Sequence, residues 1–310
     1  MIPLIYAQVQ TPKKAGFGVW LYISNQNPLN ITLNNATGFS VDPITGSTSA
    51  ILISFNVSDP DGAGQINGTY GGKVIVNLTL GPPGVAQFRT QASCVNGTES
   101  PIKVRFNCTI NMKYYDNNSN AWVINITVID SNSGTARNDS EGPTPHVFTF
   151  NSLAAFSLAS TAPGEVANLN FTSLSLGQSN VQAKSPLLLN NTGNSDFDQI
   201  NITAAPLIGG TTPSEVILAS SFAVNTTNNT AGNGLALSNS PQVITEILDA
   251  TNATLLHGPG VSGDSVPYQG VADFLSKGNR TLIFWVDVPA SGLSAQTYNN
   301  TWNLTVVDLS

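Results

Sequence analysis

Ala121-Trp122-Val123-Ile124-Asn125-Ile126-Thr127-Val128-Ile129 sets Asn125 and Thr127 on one face of an extended chain and turns Ile126, between them, to the other. The same Asn-apolar-Thr unit recurs in Ile75-Val76-Asn77-Leu78-Thr79 and in Trp302-Asn303-Leu304-Thr305. Short alternating runs rich in Val, Ile, Phe and Thr are separated by clusters of Gly, Pro, Asn and Asp, and no helical period competes with them. The chain is therefore predicted to be all-β. Strands are expected at residues 16–23, 50–57, 72–80, 102–112 and 121–129, and in a second series at 147–150, 167–176, 187–190, 198–204, 243–248, 281–288 and 301–307. Spacing of this kind reads as two tandem immunoglobulin-like β-sandwich domains preceded by an extended N-terminal strand.

Between the two series runs Ser131-Asn132-Ser133-Gly134-Thr135-Ala136-Arg137-Asn138-Asp139-Ser140-Glu141-Gly142-Pro143-Thr144-Pro145, the most polar and breaker-rich stretch of the chain, which reads as a linker. The expected division is an N-terminal extended segment over 1–15, a first sandwich over 16–130, a linker over 131–145 and a second sandwich over 146–310. The two halves end alike. Tyr115-Asp116-Asn117-Asn118, Trp122 and then Asn125 to Asp130 match Tyr298-Asn299-Asn300, Trp302 and then Asn303 to Asp308. Shared strand logic explains so short a match as well as duplication does.

A chain of 310 residues, 41% hydrophobic and 9% charged, can bury one large core or two ordinary ones. Its 11 basic residues against 18 acidic ones leave a net charge of -7, with no basic stripe for nucleic acid. No run approaches the roughly 18 apolar residues of a membrane span, and nothing in the chain reads as an anchor. Uncharged polar residues take the place of charge, with 35 Asn, 31 Ser and 30 Thr. Asn-x-Ser/Thr triplets begin at Asn30, Asn35, Asn56, Asn67, Asn77, Asn96, Asn107, Asn117, Asn125, Asn138, Asn170, Asn190, Asn201, Asn225, Asn228, Asn252, Asn279, Asn299 and Asn303. Random order of this composition yields roughly 7 such triplets, so the excess belongs to the acceptor pattern. Part of it is strand logic, since residues i and i+2 share a face, but Asn is depleted in strands where Thr would serve. Dense N-glycosylation is expected, and with it a location outside the cytoplasm.

Cys94 and Cys108 flank the turn-rich stretch Val95-Asn96-Gly97-Thr98-Glu99-Ser100-Pro101, and outside the cell they are expected to form a disulfide. At the N-terminus Met1-Ile2-Pro3-Leu4-Ile5-Tyr6-Ala7-Gln8-Val9-Gln10 lacks the basic start of a signal peptide, and its apolar run is too short for one. Ile5, Ala7 and Val9 alternate with polar or amphipathic residues, so this segment reads as a strand that Pro3 confines to an edge or a start. It is either the first strand of its own domain or a strand donated to a neighbouring copy, in which case Leu4, Ile5, Ala7 and Val9 are the subunit contacts. Donation of this kind runs head to tail and propagates a filament.

Catalytic motifs are scarce. No Gly-x-Ser-x-Gly elbow is present, His146 and His257 stand beside no plausible nucleophile, and no local motif singles out the carboxylate pair a glycosidase needs. No enzymatic activity is expected. Ser58-Asp59-Pro60-Asp61-Gly62-Ala63-Gly64 offers two carboxylates for Ca²⁺, but it lacks the remaining ligands and equally makes a plain turn between strands. No cofactor or metal is therefore expected beyond covalent N-linked glycans. Trp20, Trp122, Trp285 and Trp302 could build a sugar-stacking platform, although alternation sends Trp122 and Trp302 to the core.

Leu189-Asn190-Asn191-Thr192-Gly193-Asn194-Ser195-Asp196-Phe197, followed by Ile200-Asn201-Ile202-Thr203-Ala204, resembles the Asn-rich turn that joins strands in many archaeal and bacterial extracellular immunoglobulin-like modules. Taken with the sequons, the two sandwiches, the missing anchor and the apolar leading strand, the chain resembles the subunits of glycosylated archaeal extracellular filaments, the thread type built by donor-strand complementation. That resemblance lies in architecture, and it implies that glycans coat the filament and that strand donation stabilises it. The expected partners are then copies of the same chain in a homopolymer on the cell surface, with the cell envelope or surface glycans as further contacts. The rival readings are a secreted or surface-layer-associated sugar- or surface-binding module (an adhesin) and, behind it, an extracellular glycoside hydrolase. Few basic residues mean few ion pairs to lose in acid, so little unfolding is expected between neutral pH and about pH 3.

Overall fold

The computed structural model describes residues 21, 30–34, 38–66, 72–81, 87–138, 146–161, 167–197, 199–225, 234–243 and 278–307. The expected N-terminal strand with Leu4, Ile5, Ala7 and Val9, and the expected strand at 16–23 apart from Leu21, lie outside these residues. Among the described residues the chain is all-β with sandwich-like packing, broken only by single 3₁₀ turns at Ala63–Gln65 and Ala219–Ser221.

The first half contains β1 (Asn30–Leu33), β2 (Ser40–Val41), β3 (Thr48–Ser58), β4 (Lys73–Leu80), β5 (Gln87–Ser100), β6 (Lys103–Lys113), β7 (Ser119–Ile129), β8 (Thr135–Asn138) and β9 (Val147–Phe150). They hydrogen-bond in the order β1-β3-β6-β5-β4-β7-β9-β2, with β8 also on β7. The long strand β5 belongs to both layers. Gln87 to Thr90 pair with β4, whereas Gln91 to Ser100 pair with β6, and a register shift between Gln91 and Ser93 marks the corner. A bulge of this kind lets one strand bend from one sheet into the other. Between the layers Ile51, Ile53, Phe55 and Val57 of β3 meet Val104, Phe106, Ile110 and Met112 of β6 and Trp122, Ile124, Ile126 and Val128 of β7, all buried. The apolar centres of the Asn-x-Thr units thus go inward as expected: Leu78 and Ile126 are buried, and Leu304 packs on the second core.

The expected linker at 131–145 is corrected by the pairing. Thr135–Asn138 forms β8 antiparallel to β7, and the run Val147–Phe150, assigned in the sequence to the second sandwich, pairs with β7 and β2. Phe148 and Phe150 are buried in the first core, with Phe148 stacked on Phe39 at 5.3 Å. Polarity misled here because one side of β7 needs two short strands to cover it, and the polar stretch supplies the hairpin turn and the outward residues of β8. The chain passes between the cores at residues 151–155 instead.

The second half contains β10 (Phe156–Ser160), β11 (Val181–Gln182), β12 (Leu187–Asn191), β13 (Gln199–Thr203), β14 (Leu207–Gly209), β15 (Val216–Ile217), β16 (Phe222–Asn225), β17 (Leu235–Ala236), β18 (Gln242–Val243), β19 (Asn279–Val286), β20 (Tyr298–Asn299) and β21 (Asn303–Val307). Among the described residues one sheet runs β10-β12-β19-β16-β17 with β11 also on β19, a second runs β18-β13-β21, and a small third runs β15-β14-β20. Leu282, Ile283, Phe284, Trp285 and Val286 are all buried, as a central strand covered on both faces requires. Residues 167–176, read as a strand, form none, although Leu169, Phe171 and Leu174 pack on the core.

Candidate functional site

The Asn-rich turn after β12 fastens the second sandwich to the first. The Asn194 side chain accepts from Leu153 N–H (2.7 Å) and donates to the carbonyls of Asn151 (2.9 Å) and Asp116 (3.1 Å). Asn191 holds the turn from within, donating to Ser195 O (2.8 Å) and accepting from Gly193 N–H (3.0 Å). Gly46 N–H, from the first sandwich, donates to Thr192 O at 2.9 Å. Only glycine fits at 193, because a Cβ there would stand 2.0 Å from Leu153 O. Both asparagines are buried and fully engaged, so this motif is a joint rather than a binding surface.

On the far side of that joint Asp116 is sealed from solvent and paired with the buried Arg89. Arg89 Nε donates to Asp116 Oδ2 at 2.9 Å, Nη2 donates to Oδ1, and Lys113 N–H adds a third donor at 2.8 Å. The guanidinium lies 5.9 Å from the Tyr115 ring centre. Nothing local in the sequence marks this pair, since 27 residues separate its members.

Cys94 and Cys108 form the expected disulfide. They are direct cross-strand partners in the β5–β6 hairpin, with Cα atoms 4.0 Å apart. The stretch read as a turn between them is strand: Val95 to Ser100 continue the ladder, and only Pro101 and Ile102 reverse it. Gly and Asn lose their turn-forming role when a longer ladder carries them.

Among the sequon asparagines Asn35, Asn67, Asn228 and Asn252 lie outside the described residues. Asn30, Asn96, Asn170, Asn299 and Asn303 are exposed, and Asn77, Asn107, Asn117, Asn125, Asn138, Asn190, Asn201 and Asn279 are half-buried. Asn56 and Asn225 are buried, and the Asn56 amide donates to Asn34 Oδ1 at 3.2 Å. An amide held this way can meet a glycosyl donor only before the strand closes. Asn77 and Asn125 stand directly opposite each other on β4 and β7, and Asn125 Nδ2 donates to Thr79 Oγ1, the hydroxyl of its neighbour's own triplet, at 2.6 Å.

Of the aromatic candidates Trp122 and Trp285 are buried, Trp302 is half-buried edge-on against Phe222 at 5.0 Å, and Trp20 lies outside the described residues. Trp302 borders an opening into the second sandwich. Among the described residues Leu158 of β10, Leu304 of β21, Phe171, Leu187, Ile202, Phe222, Phe284 and Tyr298 line a cavity of about 430 Å³ whose rim carries Asn168, Asn170, Asn299 and Asn300. Among the described residues strands β10 and β21 each stand at the end of their sheet there. Nearby, the half-buried Glu215 gathers the Tyr298 hydroxyl (2.5 Å), Ser294 N–H (2.7 Å), the Ser294 hydroxyl (2.8 Å) and Gln296 Nε2 (2.8 Å) on one carboxylate oxygen. Those donors, the Tyr298 hydroxyl foremost, hold its pKa down to about 2.

Asp59 and Asp61 occupy the turn expected of them, with Asp61 N–H donating to Asp59 Oδ1 at 2.9 Å. Burial, and after it the neighbouring Asp130 and Asp61 charges, raise the Asp59 pKa against the opposing pull of that N–H. Among the described residues no three His, Cys, Asp or Glu side chains stand, as placed, in a metal-holding cluster, and no helix is long and apolar enough to cross a membrane.

No family model matches the chain, and neither does any curated protein. Among solved structures it is similar to the C-terminal domain of the Streptococcus pyogenes antigen I/II-family protein AspA, at 10% identity and a TM-score of 0.21, over 89% of this chain and 94% of that one. It is also similar to the secreted serine protease VesC from Vibrio cholerae, at 10% identity and a TM-score of 0.17, over 89% of this chain and 51% of that one. The chain thus spans about half the length of the protease. Scores this low carry no argument about function.

Proposed function

We propose that the chain is a structural subunit of an extracellular, N-glycosylated filament of the kind found on archaeal cells, assembled head to tail by strand donation. The observation that supports this reading is the open seam of the second sandwich. Two strands that are terminal among the described residues, β10 and β21, flank a cavity lined by core side chains, and an extended segment with alternating apolar residues is the element that fills such a gap. Leu4, Ile5, Ala7 and Val9 of a neighbouring copy supply that alternation. The sequons and the disulfide agree with an oxidising, glycosylating exterior. Deleting residues 1–11 is expected to leave folded single subunits that form no filaments by negative-stain microscopy. Undiminished assembly of that variant removes the reading.

A second reading is favoured by the rim of the same cavity. Tyr298 and Trp302 beside Asn168, Asn170, Asn299 and Asn300 pair aromatic faces with amides, the combination by which sugar-binding clefts grip a glycan. Saturable glycan binding by a protein that stays a single subunit at all concentrations would select a secreted or surface-associated adhesin instead.

A further inference from the structure

The Asn-x-Ser/Thr triplets are not scattered at random over the strands. Among the described residues they meet across antiparallel neighbours four times, in two different registers. Asn30-Ile31-Thr32 of β1 lies against Asn56-Val57-Ser58 of β3, and Asn201-Ile202-Thr203 of β13 lies against Asn303-Leu304-Thr305 of β21, so that each asparagine stands opposite the other triplet's hydroxyl residue. In the other two the register is offset by two residues and asparagine meets asparagine. Asn77 of β4 is opposite Asn125 of β7, and Asn190 of β12 is opposite Asn279 of β19. Each of these rows continues to a hydroxyl residue on a third strand, Thr90 of β5 beside Asn77 and Ser157 of β10 beside Asn190. The same row, one hydroxyl residue and two asparagines, thus recurs in both sandwiches.

The two registers leave different space. Directly opposite residues have Cβ atoms about 4.5–5.5 Å apart, whereas diagonal neighbours stand about 7–8 Å apart. An N-linked glycan sets a pyranose ring and its hydroxyls on Nδ2, and such a ring is wider than the spacing of about 4.8 Å between adjacent strands. Asn77, Asn125, Asn190 and Asn279 are all half-buried. In the first row the triplets are also tied to each other and to the third strand. Asn125 Nδ2 donates to Thr79 Oγ1 at 2.6 Å, and the Thr90 hydroxyl donates to Asn77 Oδ1. Thr79 is the hydroxyl residue of the Asn77 triplet, so the amide of one acceptor occupies the hydroxyl on which the other depends.

We propose that each asparagine-to-asparagine pair, Asn77 with Asn125 and Asn190 with Asn279, is a single modification site that carries one N-linked glycan and never two. The inference rests on the reading of the triplets as glycan acceptors, and it fixes how many of them one folded subunit uses. A first sugar covers the facing amide and shields it from transfer. A chain that received both sugars before folding cannot bring the two strands into register, so the order of folding and transfer does not change the product. Asn201 and Asn303 are diagonal neighbours with room for a glycan each, and they serve as the internal comparison.

The test is glycopeptide mapping of the full chain purified from its own cells, with fractional occupancy read at each asparagine. The occupancies of Asn77 and Asn125 are expected to sum to no more than one glycan per chain, and so are those of Asn190 and Asn279. Thr79→Val removes the Asn77 triplet and Thr127→Val the Asn125 triplet, each leaving both asparagines in place. Whichever of the two removes the more occupied triplet is expected to raise the other asparagine to the occupancy that the pair held together. Asn77→Gln and Asn125→Gln serve where the valine variants do not fold, and Asn190→Gln or Asn279→Gln makes the same exchange in the second pair. Thr305→Val, which removes the Asn303 triplet, leaves the occupancy of Asn201 unchanged. Two glycans on one pair in most chains, no rise after a triplet is removed, or an empty pair on a chain glycosylated elsewhere overturns the proposal and leaves the triplets standing as acceptors. A chain with no sugar at any asparagine, which its intact mass reveals, overturns the glycan reading along with it.

Discussion

The Asn194 side chain donates to the backbone carbonyl of Asp116, the residue whose carboxylate closes the buried ion pair with Arg89 in the other sandwich. One asparagine thus links the packing of the two cores. Asn194→Ala removes three hydrogen bonds and strands the buried groups they served, a loss of about 2–4 kcal/mol. Scanning calorimetry is expected to show one transition in the parent chain and two in the variant. Gly193→Ala should act alike through its clash with Leu153 O.

Removing one member of the Arg89–Asp116 pair leaves the other charge buried and alone. Asp116→Ala or Arg89→Ala is expected to lower stability by about 3–5 kcal/mol in urea unfolding. The Arg89→Met, Asp116→Leu double variant recovers much of that loss, because desolvation of the pair offsets most of its attraction.

The Cys94–Cys108 bridge closes a loop with a sequence separation of 14. Replacing both cysteines with Ala lowers stability by about 3 kcal/mol, measured as a reduced unfolding midpoint under non-reducing conditions. The β5–β6 ladder persists in that variant, since seven further residues of β6 pair with β5.

Glu215 carries a folded-state pKa of about 2 against an ordinary value of 4.5. A lowered carboxylate pKa stabilises the fold above the ordinary value and loses that contribution as pH falls from 4.5 through about 2. The protection of Ser294 N–H against hydrogen exchange, taken relative to the intrinsic rate at each pH, is therefore expected to fall across this window. In Glu215→Gln the same amide exchanges faster at neutral pH and shows no step in acid.

Glycan occupancy should follow the amide's access. Mapping of glycopeptides from the native protein is expected to find Asn30, Asn96, Asn170, Asn299 and Asn303 modified, and Asn56 and Asn225 bare. Heavy occupancy at Asn56 would mean that glycans are added to the chain before β3 pairs with β1.

The all-β class, the strands around residues 50–57, 102–112 and 121–129, the disulfide and the inward apolar centres of the Asn-x-Thr units were legible in the sequence. Each is a local periodicity or a pairing of unique residues, and a period of two dictates which face a side chain takes. Which sandwich a strand joins is different in kind, because it depends on which edge lacks a partner. Val147–Phe150 has the same alternation wherever it pairs, and only the uncovered side of β7 assigns it to the first core. Residues 167–176 alternate as a strand does yet join no ladder, since propensity without a free edge to pair with builds no strand. The joint at Asn194 and the Arg89–Asp116 pair likewise bring together residues far apart in the chain. Burial then decides their chemistry: a carboxylate that water would satisfy in a solvated turn is held by the Arg89 guanidinium at Asp116, where the fold has sealed it from water.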